Sequence, residues 1–317
     1  MNKYLVTYQP LFISEIAKEI EPNKFETLAR GLLLLESPTT PELILSHGIY
    51  KVDAIEPIDV DQIVQSIKNL LDKTEGFAIK CRIHGNKDFT ITTIEKNSRD
   101  IEVQVGTKLE QDGFIVDRKN PTAVILLTLA QNTAFITKSK PTKNPSNTDT
   151  NANDNEEIIN RSQLKLREAI NYFNLDLQNV KTALDIGAAP GGFSNELSKR
   201  GIKVTAIDPG KLDPTLANDK NIQYLQIRAE DFAPKEKFDM LVNDMNLHPR
   251  ESAGIMLVLS KFIKPKAPCV MTIKCPSRNV FHYIDTVKEL LKKDFKDFKF
   301  KHLPHNKMEI TMQTTKT

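Results

Sequence analysis

Asp185-Ile186-Gly187-Ala188-Ala189-Pro190-Gly191-Gly192-Phe193 is the stretch on which the reading of this chain turns. It joins an apolar run at 181–186, which reads as a strand, to a segment at 192–200 with helical spacing. A tight glycine turn at such a junction brings backbone amides and a helix N-terminus against a ligand. Gly187, Gly191 and Gly192 supply the room, and Pro190 fixes the loop as it enters the helix. The spacing is not GxGxxG, because Ala188-Ala189-Pro190 fills the middle, and this argues against a nicotinamide cofactor. Asp185, inside the turn's own strand, is awkward beside a pyrophosphate and suits a cationic methionine moiety.

Around this turn the second half of the chain alternates. Strands are expected at 203–208, 222–227, 238–244, 268–274, 298–303 and 308–314, with helices at 158–173, 252–263 and 280–294. That order predicts a mostly parallel, doubly wound α/β sheet with its ligands at the carboxyl ends of the strands. Asp208 ends the second strand about 20 residues after the turn, where an acid takes both hydroxyls of an adenosine ribose. Asp231, after the third strand, is placed to accept from an adenine amino group.

The first half reads as α+β. Strands are expected at 4–8, 31–36, 49–55 and 77–83, helices at 12–19, 60–72 and 92–111, and a hairpin of 122–130 and 133–137 across Gln131-Asn132. Between the halves, 139–156 reads SKPTKNPSNTDTNANDNE, almost entirely polar with two prolines, and is expected to be a flexible linker. The expected organisation is an α+β unit at 1–58, a second unit at 59–138, the linker at 139–156 and a catalytic domain at 157–317.

Bulk properties exclude more than they assign. The 317 residues are 39% apolar and 27% charged with a net charge of +3, which is too small by itself to indicate a nucleic-acid partner. Residues 292–301 interleave lysines with phenylalanines, a pattern that a solvated helix end and strand explain. Cys81, Cys269 and Cys275 have neither metal-ligand nor CxxC spacing, and read as buried free thiols of a reducing compartment. No metal site is expected. No apolar run reaches the roughly 18 residues of a membrane span, so a cytoplasmic protein without a membrane partner is expected.

Two resemblances add to this. Residues 185–194, together with Asn243-Asp244-Met245, closely resemble the FtsJ-type (RrmJ-like) ribose methyltransferases, whose turn reads Gly-Ala-Ala-Pro-Gly-Gly and then an aromatic. The resemblance spans roughly 158–315 and implies a Rossmann-like methyltransferase domain that binds S-adenosylmethionine through Asp185, Gly187, Ala188, Pro190, Gly191, Gly192, Phe193, Asp208 and Asp231. It also implies a Lys-Asp-Lys-Glu tetrad. Arg161-Ser162-Gln163-Leu164-Lys165-Leu166 matches the family's Ser-Arg-x-x-x-Lys-Leu from the arginine onward, with Asn160 for Ser. Asp244, Lys274 and Glu309 fall at the other three positions. Phe193 stands where Trp is commoner, and Asn246 replaces the small-residue-Pro of many members. Residues 114–136 resemble the end of a THUMP domain, which implies an RNA-binding module over 59–138; a plain ferredoxin-like domain explains the same residues equally well.

A ribose hydroxyl is a very weak acid and must be polarised before it attacks a methyl carbon. Lys274 suits a base or an orienting group; as a base its pKa must fall toward neutrality, and a neighbouring Lys165 would push it that way. Asp244 and Glu309 would fix both ammonium groups. Rival chemistries lack their motifs: no Pro-Pro-aromatic follows Asp244, Cys275-Pro276 reverses a Pro-Cys nucleophile, and His248, His302 and His305 lack ligand spacing. The expectation is an S-adenosylmethionine-dependent RNA 2′-O-ribose methyltransferase. Its domain order looks most like the RlmM family, which implies a large-subunit rRNA substrate. A tRNA ribose target and a non-catalytic RNA-binding protein are the alternatives, and the oligomeric state is open.

Overall fold

The computed structural model describes residues 1–85, 97–141 and 158–317. The chain forms two compact units, Met1–Lys143 and Asn144–Thr317. Residues 142–156 of the expected linker lie outside the described residues; Ser139 itself ends a strand.

In the first unit, strands β1 (Asn2–Tyr8), β2 (Phe25–Ala29), β3 (Leu32–Ser37) and β4 (Ser46–Lys51) make an antiparallel sheet in the order β2-β3-β1-β4. Helix α1 (Ile13–Ile20) buries Ile16 and Ile20. A second sheet, of order β5-β9-β8-β6-β7, contains β5 (Ala54–Pro57), β6 (Gly76–Ile83), β7 (Ile115–Val116), β8 (Ala123–Ala130) and β9 (Thr133–Ser139). Helices α2 (Val60–Leu70) and α3 (Ser98–Gln111) supply Ile63, Ile67, Ile101 and Val105 to a core shared with Phe77, Ile125 and Leu127. Residues 92–96 of the expected third helix lie outside the described residues.

Two differences have physical causes. The strand expected at 49–55 is two strands in two sheets. Val52 donates to Lys3 O on the first sheet, whereas Asp53 donates to Ile136 O and its carboxylate accepts from Lys138 N on the second. The chain therefore changes sheets at 52–53, ahead of the boundary expected at 58. Strand β2 is an edge strand whose first three residues are exposed, so it lacks the alternation that marks a half-buried strand. The hairpin turn lies where expected, with Gln131 and Asn132 both at positive φ (48° and 58°).

The second unit holds one seven-stranded sheet. Its strands are β10 (Thr182–Ile186), β11 (Lys203–Ile207), β12 (Ile222–Leu225), β13 (Met240–Asn243), β14 (Pro268–Lys274), β15 (Phe295–Lys301) and β16 (Glu309–Lys316). The order is β12-β11-β10-β13-β14-β16-β15, parallel except for β16, which is antiparallel to both neighbours. Among the described residues of this unit the α-helices are α4 (Arg161–Tyr172), α5 (Gly192–Ser198), α6 (Pro249–Leu259) and α7 (Val280–Leu291). Leu166, Ala169, Phe193 and Leu197 from α4 and α5 meet Ala183, Val204 and Val242 of the sheet in one apolar cluster. Burying side chains of this size contributes roughly 1.5–3 kcal/mol each. Strand order reverses between β10 and β13, which places a crevice at their carboxyl ends.

Candidate active site

The glycine turn is shaped first by protein neighbours. Gly187, at φ +75°, lies so close to the loop after β13 that a Cβ there would stand 2.6 Å from Met245 N and Cα. Asn243 sets that loop: its side chain donates to Ser252 Oγ at 3.0 Å and accepts from Met245 N at 3.1 Å. A Cβ on Gly192 would meet Asn160 Oδ1 at 2.0 Å and Gln163 N at 2.7 Å, so this glycine lets the start of α4 rest on the start of α5. Asn160 caps α4, and Gln163 and Arg167 tie it to Asn195 and Glu196 of α5. The turn thus presents α4, and with it Lys165, to the ends of β13 and β14.

Four side chains converge there. Lys165 Nζ donates to both oxygens of Asp244, at 2.9 and 3.0 Å, and lies 3.1 Å from Glu309 Oε1. Lys274 Nζ donates to Asp244 Oδ1 and to Glu309 Oε2, each at 2.8 Å. Lys274 and Glu309 are register partners on β14 and β16. Two cations and two anions close the set, while Arg161 stands 3.6 Å from Glu309 at the rim. Glu309 Oε1 receives no hydrogen bond despite its two cationic neighbours.

These contacts set the protonation states. For Asp244, burial favours the neutral form, but Lys165, Lys274 and the Ser162 hydroxyl outweigh it and hold the carboxyl below its usual range. Glu309 is lowered by the same contest, through Lys165 and Lys274. For Lys274, burial lowers the pKa, yet Asp244 and Glu309 outweigh burial and raise it. This corrects the expectation that Lys165 would draw Lys274 toward neutrality. Two carboxylates at 2.8 Å keep the ammonium charged.

A cleft of about 420 Å³ adjoins the set, lined among others by Gly187, Ala189, Asp208, Arg228, Glu230, Asp244 and Asn246. A larger hollow, of about 540 Å³, lies against Lys203 and Ile222, at the amino ends of β11 and β12 and away from the crevice this fold uses for ligands. Asp208 links the turns after β10 and β11, accepting from Ala189 N at 3.2 Å and Gly210 N at 2.6 Å. Asp185 is fully buried, with Oδ2 accepting from Ser194 Oγ at 2.7 Å and Oδ1 lacking a hydrogen bond. Burial, with smaller contributions from Asp244 and Asp208, pushes its pKa up to about 7 against the lowering effect of Ser194.

Of the residues expected to hold a cofactor, Gly187 and Asp208 line the cleft. Gly191 and Gly192 are buried in the packing of the turn, and Ala188 and Phe193 belong to the apolar core. Pro190 is exposed, and Asp185 lies beneath the turn. Phe193 therefore packs between α4 and the sheet, where an aromatic of either size fills volume. Asp231 is exposed, and the acid in the cleft wall is its neighbour Glu230, because residues 229–231 make one 3-10 turn. Sequence reasoning also missed the Ser162 hydroxyl, which donates to Asp244 Oδ2 at 2.6 Å, although it sits in the matched helix motif. It missed buried Glu168, which accepts from His305 N at 3.0 Å and Nδ1 at 2.6 Å and so ties α4 to the loop before Glu309. The three thiols are buried and free, and burial pushes each up to about 12.

A seven-stranded sheet with one antiparallel strand, a glycine turn after its first strand and a charged set at its carboxyl edge define a Rossmann-like methyltransferase domain. Residues 158–300, within the second unit, match the model of the FtsJ-like methyltransferase family. Over 348 aligned positions the chain is 28% identical to an uncharacterized protein of Methanocaldococcus jannaschii, with 97% of each chain covered. It is 31% identical over 166 residues to ribosomal RNA large subunit methyltransferase M of an Azoarcus species, covering 49% of this chain and 45% of that one. With the same enzyme of Histophilus somni it shares 35% over 173 residues, 49% of this chain and 47% of that one. The chain thus spans under half the length of these two methyltransferases.

Proposed function

We propose that this protein transfers the methyl group of S-adenosylmethionine to a ribose 2′-hydroxyl of RNA, with large-subunit ribosomal RNA as the substrate. The observation that carries this reading is the ammonium of Lys274, held at 2.8 Å by two carboxylates beside a ligand-sized cleft. The residues present fit the cofactor. Asp208 and Asp244 lie close enough to raise the cost of ionising Asp185, whose buried Oδ1 is unpartnered. That is an environment for a cation. About 420 Å³ is within the usual range for small-molecule sites, roughly 300–1,000 Å³. Asp208 and Glu230 both line the cleft, and in this reading the first takes the ribose diol and the second the adenine edge. When bound, the sulfonium supplies an electrophilic methyl group.

The chain's own residues do the rest. Lys274 is the most exposed member of the set, at 21% against 3% for Lys165, 10% for Asp244 and 6% for Glu309. Two of its three N–H groups go to carboxylates, which leaves the third for the incoming hydroxyl oxygen. That hydrogen bond fixes one lone pair and turns another toward the cleft, and positioning of this kind supplies much of the rate of a displacement. As the C–O bond forms, the methyl–sulfur bond of the bound donor would break with its electron pair left on the thioether sulfur, and the hydroxyl, by then a far stronger acid, would release its proton to solvent water. A neutral lysine is therefore not required. Lys165 neutralises Asp244 and Glu309 from behind and keeps the set together. The first unit, whose second sheet resembles a THUMP module in sequence, is the part we assign to holding RNA.

The test supplies labelled S-adenosylmethionine and large-subunit ribosomal RNA, with transfer RNA in parallel. Label that survives alkaline hydrolysis in a dinucleotide supports the reading. Label in a nucleobase, or bound cofactor with no transfer, contradicts it.

A further inference from the structure

The loops that follow β13 and β14 carry aromatic and cationic side chains that the chemistry above does not use. Asp244 directly follows the first strand, and four residues on, His248 caps α6. Lys274 ends the second strand, and Tyr283 stands in the first turn of α7. The two rings meet edge to face, with centroids 5.8 Å apart and planes at 80°. Tyr283 Oη shares a hydrogen bond of 2.9 Å with Ser277 Oγ, on the loop leaving Lys274. His282 lies 5.8 Å from the same ring. His248 and His282 are exposed and Tyr283 is half-buried, so the cluster is braced without being covered.

Two exposed arginines lie on the same segments: Arg250, two residues after His248, and Arg278, next to Ser277. Among the described residues neither has an acidic partner. Packing accounts for the contact between His248 and Tyr283, but not for a braced ring left partly open on loops that also carry two exposed arginines. In the strand order β11-β10-β13-β14 the loop after Lys274 lies on the far side of β13 from Asp208, while the loop after Asn243 also lines the cleft through Met245, Asn246 and Leu247.

We propose that Tyr283, braced by Ser277 and His248, is the stacking platform for an unpaired base of the RNA, with Arg278 and Arg250 set for the adjoining phosphates. Unpaired bases are recognised by stacking on aromatic rings, and guanidiniums pair with the backbone. This rests on the reading that RNA is the substrate, and it adds where that RNA is gripped.

The experiment uses the full chain and a short unstructured RNA carrying 2-aminopurine, whose fluorescence falls on stacking. The wild-type protein quenches the probe. Tyr283→Ala loses the quench and weakens binding about tenfold, whereas Tyr283→Phe keeps both. Arg278→Ala, on the surface and harmless to the fold, weakens binding and lowers the salt dependence by about one phosphate contact. Steady-state methylation by Tyr283→Ala shows a raised KM for RNA with unchanged kcat and cofactor affinity. No quench by the wild-type protein, or an undiminished quench in Tyr283→Ala, overturns the platform. A protein that quenches the probe but transfers no methyl group keeps the platform and refutes ribose methylation instead.

Discussion

Lys274 and Glu309 stand opposite each other on neighbouring antiparallel strands, and their side chains close to 2.8 Å. No loop intervenes between them. Directly opposed residues of such a pair have Cβ atoms about 4.5–5.5 Å apart, so sheet register alone holds this half of the charged set. Asp244 and Lys165 are brought to it by the end of β13 and by α4.

Removing one member exposes how the set is balanced. Glu309→Ala leaves Lys165 and Lys274 sharing Asp244 alone. Breaking a buried ion pair from one side costs about 3–5 kcal/mol, and urea unfolding is expected to show a loss of that order. A loss below about 1 kcal/mol, the value of a surface pair, would contradict the buried network.

Stability should respond to pH in two opposite directions. Asp244 and Glu309 have lowered pKa values, so their contribution is complete above about pH 4.5 and is lost as pH falls through the lowered values. Lys274 has a raised pKa, so its contribution is complete below about pH 10.5 and is lost only in stronger alkali. Asp185, raised to about 7, binds a proton more tightly folded than unfolded, so it costs stability progressively from about pH 4 to 7. Asp185→Asn is expected to remove that slope, a few kcal/mol at most, when unfolding is compared at the two ends of the window. An unchanged slope would mean that Asp185 is ionised without penalty.

Gly192→Ala should act at a distance. Its Cβ would stand 2.7 Å from the backbone of Gln163, so the start of α4 must move and carry Lys165 with it. The expected result is a folded protein with turnover reduced by at least about tenfold, since small misplacements of a positioned group are costly. Full activity would show that α4 accommodates the methyl group without shifting Lys165.

Glu168→Ala strips the acceptor from His305 N and Nδ1. Leaving buried donors unpaired costs about 1–3 kcal/mol. Hydrogen exchange at His305 should accelerate while the amides of α5 keep their protection. Equal protection in both proteins would show that the loop before Glu309 is held by Asn306 and His302 without this contact.

Much of this fold is legible in the sequence because buried parallel strands read as apolar runs and helices as 3.6-residue periods. The mostly parallel sheet was legible from strands alternating with helices, whereas the order β12-β11-β10-β13-β14-β16-β15 was not. Edge strand β2 escaped notice because its outward residues carry no pattern. The members of the charged set were legible as types at matched positions, but their protonation was not. Whether Lys274 feels Lys165 or two carboxylates more strongly depends on distances of about 3 Å, which no spacing along the chain reveals. Glu168 and His305 were invisible for the same reason: 137 residues separate them, and only the packed loop joins them. Phe193 misled by its place in the turn motif, where packing behind the turn, not the cleft, claims the ring.

Single-turnover methyl transfer by Lys274→Ala, with cofactor affinity measured on the same protein, tests the central claim most directly. With Lys274 as the group that holds the ribose oxygen, transfer should be abolished while the affinity for S-adenosylmethionine stays within a few-fold of wild type, since the cleft that binds it is left intact. Substantial residual transfer at normal cofactor affinity would contradict it.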